Sequence, residues 1–530
     1  MTAIPQPEIA PAQVGTQFAV HNPATQEIIG TLPNFGAEQI AEAVAKAAAA
    51  QVRWATTPVR DRLRILSRFA ELLCDQKDSV AAVISREAGK PEAEAMSTEV
   101  MVVLDTVKYL QNHVPTFLKP EPVPHGNPVM KLKRGTLLRE PYGVVGIISP
   151  WNYPFSLPSI QTLTALVTGN AVVLKPSEFT PYSSLELEKL LRAASLDPDL
   201  LHVITGEGAT GAALLAANVQ KIIFTGSVAT GKRVAQAAAA RLLPVVLELG
   251  GKDPMIVLED ADIDVASSAA VWGAFMNAGQ TCLSVERCYV QEKIYPKFLE
   301  ACVAKTAKLR IGPGTDPNVD SGPMIHARQL SIVQSHVEDA IARGARLLAG
   351  GKPLAQLGPN FFAPTILADV DHSMKIMREE TFGPVLPVRS FKTEDEAVAL
   401  ANDSDYGLAA CIFTNDRKRG EALARRVQAG TVMVNDVLTC FGISEAPHGG
   451  IKASGIGRTH GRFGLEEMVW PKYVDSDRMP RMKKLWWYGY GPAFGQQMGG
   501  FIELLFAKGL IKRLRGGVKS TKSYLRRRLL

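Results

Sequence analysis

Short β-branched runs, each passing through glycine, proline or serine into a helix-like stretch, constrain the fold of this chain most strongly. This alternation is typical of βαβ units, which build a parallel sheet covered by helices. Amphipathic helices are predicted over residues 37–55 and 60–89, and they precede the first set of strands. Between residues 141 and 227 that set comprises "PYGVVGIISPW", "GNAVVLKPSE", "LHVITGEG" and "VQKIIFTGS". The pattern predicts a doubly wound α/β domain.

The same alternation restarts after about residue 250 and predicts a second α/β domain. Its strand candidates are "DPMIVLEDADID", "ERCYVQEKIY", "ACIFTND" and "GTVMVND". A proline-rich segment between residues 119 and 139 alternates in character and is predicted to be an exposed hairpin outside either core. A chain of 530 residues is long enough for two to four domains of this kind.

Composition argues against several classes of protein. The six cysteines show no CxxC or CxxH spacing, so we expect neither a disulfide framework nor a bound metal. The expected compartment is the reducing cytoplasm. The first residues lack a basic stretch followed by an apolar run, which speaks against a secretory signal. No window reaches about 18 uncharged apolar residues, so no spanning helix is predicted. Residues 1–16 are expected to form a flexible lead.

Two glycine loops resemble phosphate-binding motifs without meeting every requirement. "GEGATG" at 206–211 satisfies GxGxxG, whereas "GSVATGK" at 226–232 is not followed by the hydroxyl residue that a P-loop gives to magnesium. A phosphate could still be held at Gly226 and Ser227, where N–H groups are expected at a helix N-terminus. The loops are therefore either parts of a dinucleotide site or tight strand-to-helix turns.

Lys175 and Glu178 close the strand-like run "AVVLKPSE". At the carboxyl end of a parallel strand both side chains could hydrogen-bond a ribose diol, and the acidic group would repel a 2′-phosphate. This arrangement favours NAD. The alternative is a solvated strand end.

A single cysteine in "GQTCLS" follows an apolar run that is predicted to be a helix ending at a glycine. Cys282 is a buried filler, a metal ligand or a nucleophile. Glu248 stands just before the glycine pair of "LELGGKDP", and Asn152 lies at the strand-to-helix turn of "SPWNYPF". The remaining cysteines are expected to be small core or surface residues: Cys74, Cys288, Cys302, Cys411 and Cys440.

Eight motifs occur in the order typical of the NAD(P)-dependent aldehyde dehydrogenase superfamily. They are "NPATQEIIG", "SPWNYP", "KPSE", "FTGS", "LELGGK", "GQTC", "EETFGPV" and "PHGGIKASGIGR". Over residues 17–475 the chain resembles this superfamily, which implies an α/β fold with a Rossmann-type cofactor domain, an α/β catalytic domain and a small β oligomerisation element. The implied boundaries are 17–118 with 140–247 for the cofactor domain, 248–446 for the catalytic domain, and 119–139 with 447–475 for the oligomerisation element.

The resemblance also implies roles for individual residues. Cys282 is the nucleophile that attacks the aldehyde carbonyl, the Asn152 amide and the Cys282 N–H hold the oxyanion, and Glu248 activates the water that hydrolyses the thioester. The resemblance implies that Lys175 belongs both to the catalytic residues and to the residues that bind the cofactor. The cofactor is NAD, with NADP as the alternative, and the residues expected to bind it are Ile148, Ser149, Pro150, Trp151, Lys175, Ser177, Glu178, Gly208, Phe224, Gly226, Ser227, Leu249, Glu380 and Phe382.

One departure and two alternatives bear on the activity. His448 in "PHGG" stands where many relatives have phenylalanine, so an aromatic wall of the substrate tunnel is altered. A coenzyme A-acylating enzyme is one alternative, although members of that branch generally lack the glutamate that Glu248 supplies. A catalytically silent structural relative is the other, and the intact set of nucleophile, base and oxyanion amide argues against it.

About 55 residues follow the expected end of the family's domains and carry the positive excess of the chain. Residues 476–530 hold 13 Lys and Arg against 2 Asp and Glu, whereas the remainder has a net charge of −4. A helical face is predicted from Phe501, Leu504, Leu505, Ile511 and Leu514. This tail either lies on an anionic membrane or packs over a partner subunit or the substrate entrance. Nothing elsewhere in the sequence favours binding to nucleic acid. A homo-oligomer is expected, with a dimer favoured over a tetramer.

The fatty aldehyde dehydrogenases are similar in carrying a C-terminal extension. Together with the apolar, basic tail, this likeness favours a hydrophobic substrate, a long-chain aliphatic or an aromatic aldehyde. The expected location is the cytoplasm, with peripheral membrane contact if the tail binds lipid.

Overall fold

The computed structural model describes residues 16–128, 130–482, 484, 486–488 and 490–529. The predicted flexible lead, residues 1–16, falls outside this part of the chain except for its last residue. The described strands, in chain order, are β1 Gln17–His21, β2 Ile28–Pro33, β3 Glu121–Val123, β4 Lys133–Pro141, β5 Val144–Ile148, β6 Ala171–Lys175, β7 Leu201–Val203, β8 Lys221–Thr225, β9 Val245–Glu248, β10 Asp253–Val257, β11 Val285–Gln291, β12 Arg346–Ala349, β13 Thr365–Ala368, β14 Val385–Phe391, β15 Ala409–Phe413, β16 Thr431–Val434, β17 Gly455–Ile456 and β18 Val469–Asp477.

Helices of very different length connect these strands. In chain order they are α1 Ala37–Thr56, α2 Val59–Asp75, α3 Lys77–Ala88, α4 Glu92–Ala95, α5 Met101–Phe117, α6 Ser156–Val167, α7 Pro181–Ala193, α8 Gly208–Ala216, α9 Val228–Ala239, α10 Ile263–Phe275, α11 Tyr295–Thr306, α12 Ala327–Ala342, α13 Lys375–Arg378, α14 Glu394–Asn402, α15 Arg417–Ala424, α16 Gly461–Glu466, α17 Pro492–Phe506 and α18 Leu510–Leu529. A π-helical turn, Met96–Val100, joins α4 to α5.

The first sheet has the spatial order β17-β9-β8-β5-β6-β7, and its strands from β5 to β9 run parallel. Its interior strands are almost continuously apolar, as a sheet covered on both faces requires. From β5 the chain moves to β6 on one side and later to β8 on the other. The predicted doubly wound α/β fold is confirmed.

The second sheet has seven strands in the order β12-β13-β14-β11-β10-β15-β16, and only β12 is antiparallel to its neighbour. Four of these strands coincide with the runs that the sequence pattern predicts. Strands β12, β13 and β14 were not predicted. Prolines in "FFAPTILADV" and "FGPVLPVRSF" interrupt the β-branched pattern that marks the other strands.

The chain divides into a larger and a smaller unit. The larger one takes the described residues up to Pro120 together with Leu138–Lys472, and the smaller one takes Glu121–Leu137 with the described residues from Tyr473 onward. Strands β3 and β4 pair in antiparallel fashion, as the predicted hairpin requires, and β18 lies next to β4 in the same three-stranded sheet.

The tail folds into two helices, so the prediction of one helical face from Phe501 to Leu514 is wrong. Helix α17 ends at Phe506, and the chain leaves the helical conformation before Gly509, whose φ of +94° suits glycine. Helices α17 and α18 then pack against each other. No helix in the described part of the chain is both long enough and apolar enough to cross a membrane.

Candidate active site

The carboxyl ends of β5 and β8 open a crevice in the first sheet, because the chain departs from these neighbouring strands in opposite directions. Ile148 ends β5, and the predicted residues Ser149, Pro150 and Trp151 follow it directly. Lys175 ends β6, and Phe224 lies in β8 just before Gly226 and Ser227. The topology therefore gathers residues from three separate motifs at one edge of the sheet.

Several features of this crevice suit a dinucleotide. Lys175 Nζ lies 3.2 Å from Glu178 Oε2, so an amine and a carboxylate are held side by side as a ribose diol requires. The buried Ser149 hydroxyl has no hydrogen-bond partner within the described residues. Ser227 caps α9, and a Cβ on Gly226 would lie 2.7 Å from the Phe224 ring, which explains the glycine at this helix N-terminus. The residues present thus fit NAD or NADP.

Glu380 reaches the same region from the second sheet. Its Oε1 accepts a hydrogen bond from the Gly251 N–H at 3.0 Å, and a Cβ on Gly250 would lie 2.3 Å from Oε2. Burial, and then the nearby Glu286 carboxylate, raise the pKa of Glu380 to about 8. The glycine pair of "LELGGK" therefore makes room for a carboxylate that is far away in sequence.

A buried carboxylate accepts hydrogen bonds from the backbone of the loop after Glu380. Glu286 accepts the N–H groups of Thr381 and Phe382, and the Lys252 ammonium bonds both Glu286 and Thr381. Phe382 has a φ of +51°, and its ring stands edge-on to Trp151 at a centroid distance of 5.4 Å. This network was not predicted, because its members are separated by up to about 130 residues.

Cys282 follows a turn in which Asn277 and Ala278 both have a φ of +54°. The Cys282 carbonyl lies so close to Gly251 that a Cβ there would be 2.4 Å away. Burial, then the carboxylates of Glu248, Asp253 and Glu380, raise the pKa of the Cys282 thiol well above its usual range. The thiol is therefore protonated until a cation, a base or a bound cofactor changes its surroundings.

Asn152 is fixed by residues that precede Cys282. Its Nδ2 donates to the Gln280 carbonyl at 3.0 Å, and its own carbonyl accepts from Asn277 Nδ2 at 3.0 Å. Asn277 also donates to the Gln280 carbonyl at 3.2 Å. Sequence reasoning missed both partners, although Gln280 stands within the "GQTC" motif that carries the nucleophile.

Glu248 ends β9, is buried, and has two partners that were also missed. Its Oε2 lies 3.2 Å from His448 Nε2, and its Oε1 accepts from the Thr459 hydroxyl at 3.3 Å. His448 had been noted only as a departure in "PHGG". The structure thus brings Glu248 and Asn152 to the neighbourhood of Cys282, whereas Lys175 is bonded to Glu178 and its catalytic assignment stays a prediction.

The remaining candidate groups are clusters of metal-ligating side chains, the cysteines and Gly208. Within the described residues, no group of three or more histidine, cysteine, aspartate or glutamate side chains is arranged to hold a metal ion. All six cysteines lie in the described part and are free thiols, with Cys74 exposed and Cys282 partly exposed. Of the expected cofactor residues, Gly208 begins α8 and has open space around it, so its role is not decided by any contact.

Comparison with known proteins identifies the family. The aldehyde dehydrogenase family model matches residues 9–474. The 4,4'-diapolycopene aldehyde oxidase of Methylomonas sp is 42% identical over 494 residues, covering 93% of this chain and 92% of that protein. A putative succinate-semialdehyde dehydrogenase [NADP(+)] of Mycolicibacterium smegmatis is 39% identical over 450 residues, covering 85% and 86%.

Solved structures agree with this result. The crystal structure of an NAD-dependent aldehyde dehydrogenase from Sinorhizobium meliloti has a TM-score of 0.85 and 36% sequence identity, covering 89% of this chain and 93% of that one. The chain therefore belongs to the aldehyde dehydrogenase family and is an oxidoreductase that acts on an aldehyde with NAD or NADP.

Proposed function

We propose that this enzyme oxidises an apolar aldehyde to its carboxylic acid through a covalent intermediate on Cys282, with NAD as the preferred cofactor. The observation that carries the proposal is that Asn152, bonded to Gln280 two residues before Cys282, and Glu248, whose carboxylate acts on the Cys282 thiol, lie near one cysteine. Cys282 and Asn152 supply groups that the first step needs, and Glu248 supplies the base for the hydrolysis that ends the reaction.

The first step forms a bond between sulfur and carbon. The Cys282 thiol gives its proton to solvent, the thiolate sulfur attacks the carbonyl carbon of the aldehyde, and the negative charge that develops on oxygen is held by the Asn152 amide and the Cys282 N–H. An amide has two N–H donors, and the bond to the Gln280 carbonyl uses one of them. The other is available to the oxyanion.

A dinucleotide held in the crevice would supply the hydride acceptor that oxidation of the aldehyde carbon needs. In this proposal Lys175 and Glu178 hold its adenosine ribose, Ser227 its pyrophosphate, and Glu380 its nicotinamide ribose. Cys282 is then left as a thioester. Glu248 takes a proton from water, the water oxygen attacks the thioester carbon, and the carbon–sulfur bond breaks to release the acid and the thiolate.

A preference for NAD over NADP follows from Glu178. Its carboxylate, held beside Lys175, would repel a 2′-phosphate and accept hydrogen bonds from a free ribose diol. Replacement of Glu178 by Gln should therefore lower the preference for NAD, measured as kcat/KM with NAD divided by kcat/KM with NADP, by about tenfold. An unchanged ratio would contradict this assignment.

An apolar substrate is supported by the surroundings of the thiol. Cys282 and Phe441 pack against a buried apolar cluster that contains Tyr153, Leu157 and Cys440. The relative from Methylomonas is named for 4,4'-diapolycopene aldehyde, and this name is consistent with the same preference.

The chemistry is tested by stopping it between its two steps. With Glu248→Gln, one equivalent of NADH should form rapidly and turnover should then stall, while mass spectrometry finds an acyl group on Cys282. Cys282→Ala should form neither NADH nor adduct, whereas Cys302→Ala, a buried cysteine elsewhere, should behave like the parent. Full activity of Cys282→Ala would overturn the mechanism, and no NADH from the parent with any aldehyde would indicate a silent relative.

Substrate class and acceptor are tested on the parent enzyme. Among linear aldehydes, kcat/KM should rise with chain length from propanal to decanal, since each buried methylene contributes about 0.8 kcal/mol. Succinate semialdehyde as the best substrate would overturn the apolar assignment. Formation of an acyl-coenzyme A in the presence of coenzyme A would favour the acylating alternative instead.

We further propose that helices α17 and α18 dock the enzyme on an anionic membrane surface. The two helices meet through small residues, since a Cβ on Gly500 would lie 2.6 Å from the Gly516 carbonyl. The larger apolar side chains of α18 point away from that contact and are exposed: Ile511 by 71%, Leu514 by 59%, Val518 by 56% and Leu525 by 54%. These positions share one face of a helix that carries eight basic and no acidic residues.

This combination suits a lipid interface better than water. The apolar face gains by burial among acyl chains, and each basic residue near anionic lipid contributes about 1 kcal/mol. A membrane-bound enzyme would also meet apolar aldehydes where they partition. The proposal therefore links the tail to the substrate class.

The tail is tested by sedimentation with vesicles of phosphatidylcholine alone and of phosphatidylcholine with phosphatidylserine. Truncation after Arg478, or the pair Ile511→Ser and Leu514→Ser, should abolish binding to anionic vesicles and leave propanal oxidation within about twofold. Equal binding by all forms would remove the proposal. A change of molar mass on truncation would favour packing on a partner subunit, and loss of decanal oxidation alone would favour a cover over the substrate entrance.

We also propose a homo-oligomer, a dimer rather than a tetramer, joined through the three-stranded sheet. Strand β18 exposes Tyr473 and Val474, and β3 is a short edge strand that can pair with another chain. Light scattering of the purified full-length protein should give twice the chain mass. A monomer would overturn this assignment.

A further inference from the structure

His448 and Glu248 form a buried pair of polar side chains, and apolar packing alone does not explain why an imidazole faces a carboxylate here. The two side chains are only 4% and 5% exposed, and His448 Nε2 lies 3.2 Å from Glu248 Oε2. The other oxygen, Oε1, accepts from the Thr459 hydroxyl. Both oxygens of the proposed base therefore have a partner, and these partners come from the "PHGG" and "GRTHG" segments.

The backbone fixes the imidazole in this place. The His448 N–H donates to the Thr459 carbonyl and the Thr459 N–H donates to the His448 carbonyl, both at 2.8 Å. Phe441 stands edge-on to the His448 ring at a centroid distance of 5.2 Å. The imidazole thus keeps its orientation toward Glu248 without help from a substrate.

The titratable groups that face the pair are Cys440, His460 and Cys282. The Arg458 side chain also approaches Gly449 beside Glu248, and its guanidinium donates to the Gly450 and Gly457 carbonyls. Burial alone would lower the pKa of His448, but the Glu248 carboxylate and a hydrogen bond with the Cys440 thiol outweigh it and raise this pKa to about 10. Burial, then repulsion from His448, lower the pKa of His460 to about 3, so His460 stays neutral. At neutral pH His448 is the cation of the cluster.

We propose that His448 is a positioning residue whose imidazolium keeps the carboxylate of Glu248 ionised and in one orientation for hydrolysis of the thioester. The inference rests on the proposed role of Glu248 as the base. In that step the proton of water moves to Glu248, the water oxygen bonds to the thioester carbon, and the sulfur of Cys282 leaves. A phenylalanine in place of His448 would leave the same carboxylate buried without a facing cation.

The experiment uses a p-nitrophenyl hexanoate assay on the full-length enzyme, which needs no dinucleotide. Release of nitrophenolate in the first turnover reports acylation of Cys282, and the later steady rate reports hydrolysis of the acyl-enzyme. Both rates are measured from about pH 5.5 to about pH 9 for the parent, His448→Phe and His448→Gln. His202→Phe makes the same change at a half-buried histidine of β7 and serves as the control.

Removal of a cation at 3.2 Å favours the protonated carboxylate, so the base is lost at a higher pH than in the parent. In His448→Phe the acid limb of the hydrolysis rate should therefore move up by about 1–3 pH units, while the acylation burst stays within about threefold. His448→Gln keeps a hydrogen-bond donor but not the positive charge. Its hydrolysis rate at high pH should therefore recover toward that of the parent, while its acid limb stays shifted as in His448→Phe. The control should match the parent in both.

The possible failures are distinct. An unmoved acid limb in both His448 variants, with an intact burst, would overturn the role of His448. A burst that survives in Cys282→Ala would overturn the proposed function itself. If His448→Phe fails to fold, as judged by its circular dichroism, His448→Gln alone decides the question through the same limb.

Discussion

Replacement of Asn152 by Ala tests the oxyanion site most directly. Asn152 is buried, one of its amide N–H groups is held by the Gln280 carbonyl at 3.0 Å, and the second is free to meet an oxyanion. Loss of one such donor typically lowers the rate by about 10²–10³, which corresponds to about 2.7–4 kcal/mol of transition-state stabilisation. We expect a fall of that size in kcat/KM for decanal.

The assay must separate this effect from damage to the fold. Removal of the amide also leaves the buried Gln280 carbonyl with the Asn277 amide as donor, and the lost hydrogen bond destabilises the protein by about 0.5–1.5 kcal/mol. Urea denaturation measures that loss, and quenching of protein fluorescence by NAD measures cofactor binding. Asn218→Ala, the same change at an exposed asparagine, should alter neither quantity.

The outcome that contradicts the assignment is specific. If Asn152→Ala keeps kcat/KM within about tenfold of the parent while binding NAD normally, the amide does not hold the oxyanion. A loss of NAD binding in parallel with activity would instead indicate that the turn between β5 and α6 has moved.

Two further substitutions test the packing around the site. Lys90→Met leaves the fully buried Glu99 carboxylate, 2.7 Å away, without its cation, and it should lower the free energy of unfolding by about 3–5 kcal/mol. A loss below about 1 kcal/mol in urea denaturation would show that the pair is not stabilising. Gly250→Ala would place a Cβ 2.3 Å from Glu380 Oε2 and push that flexible carboxylate aside, so the KM for NAD should rise by about tenfold with little change in ester hydrolysis; an unchanged KM would exclude Glu380 from the ribose site.

Local patterns predicted the fold class and most strands near the cofactor crevice. The runs that correspond to β5, β6 and β8 are rich in β-branched residues, carry lysine only at one end of β6 and of β8, and are followed by glycine, proline or serine, so local composition marks them. Strands β13 and β14 were missed because proline interrupts their pattern. Glycine at 509 ends the apolar run that had been predicted as one helical face in the tail.

The sequence by itself determined which groups are proposed to carry the chemistry, since the motifs around Cys282, Glu248 and Asn152 specify residue types in a recognisable order. Only the tertiary structure decided that His448 faces Glu248. These two residues are 200 positions apart, and neither the periodicity around "LELGG" nor that around "PHGG" contains information about the other. A local pattern reflects the contacts of one helix or strand, whereas the pairing of buried charges depends on how separate sheets and loops pack.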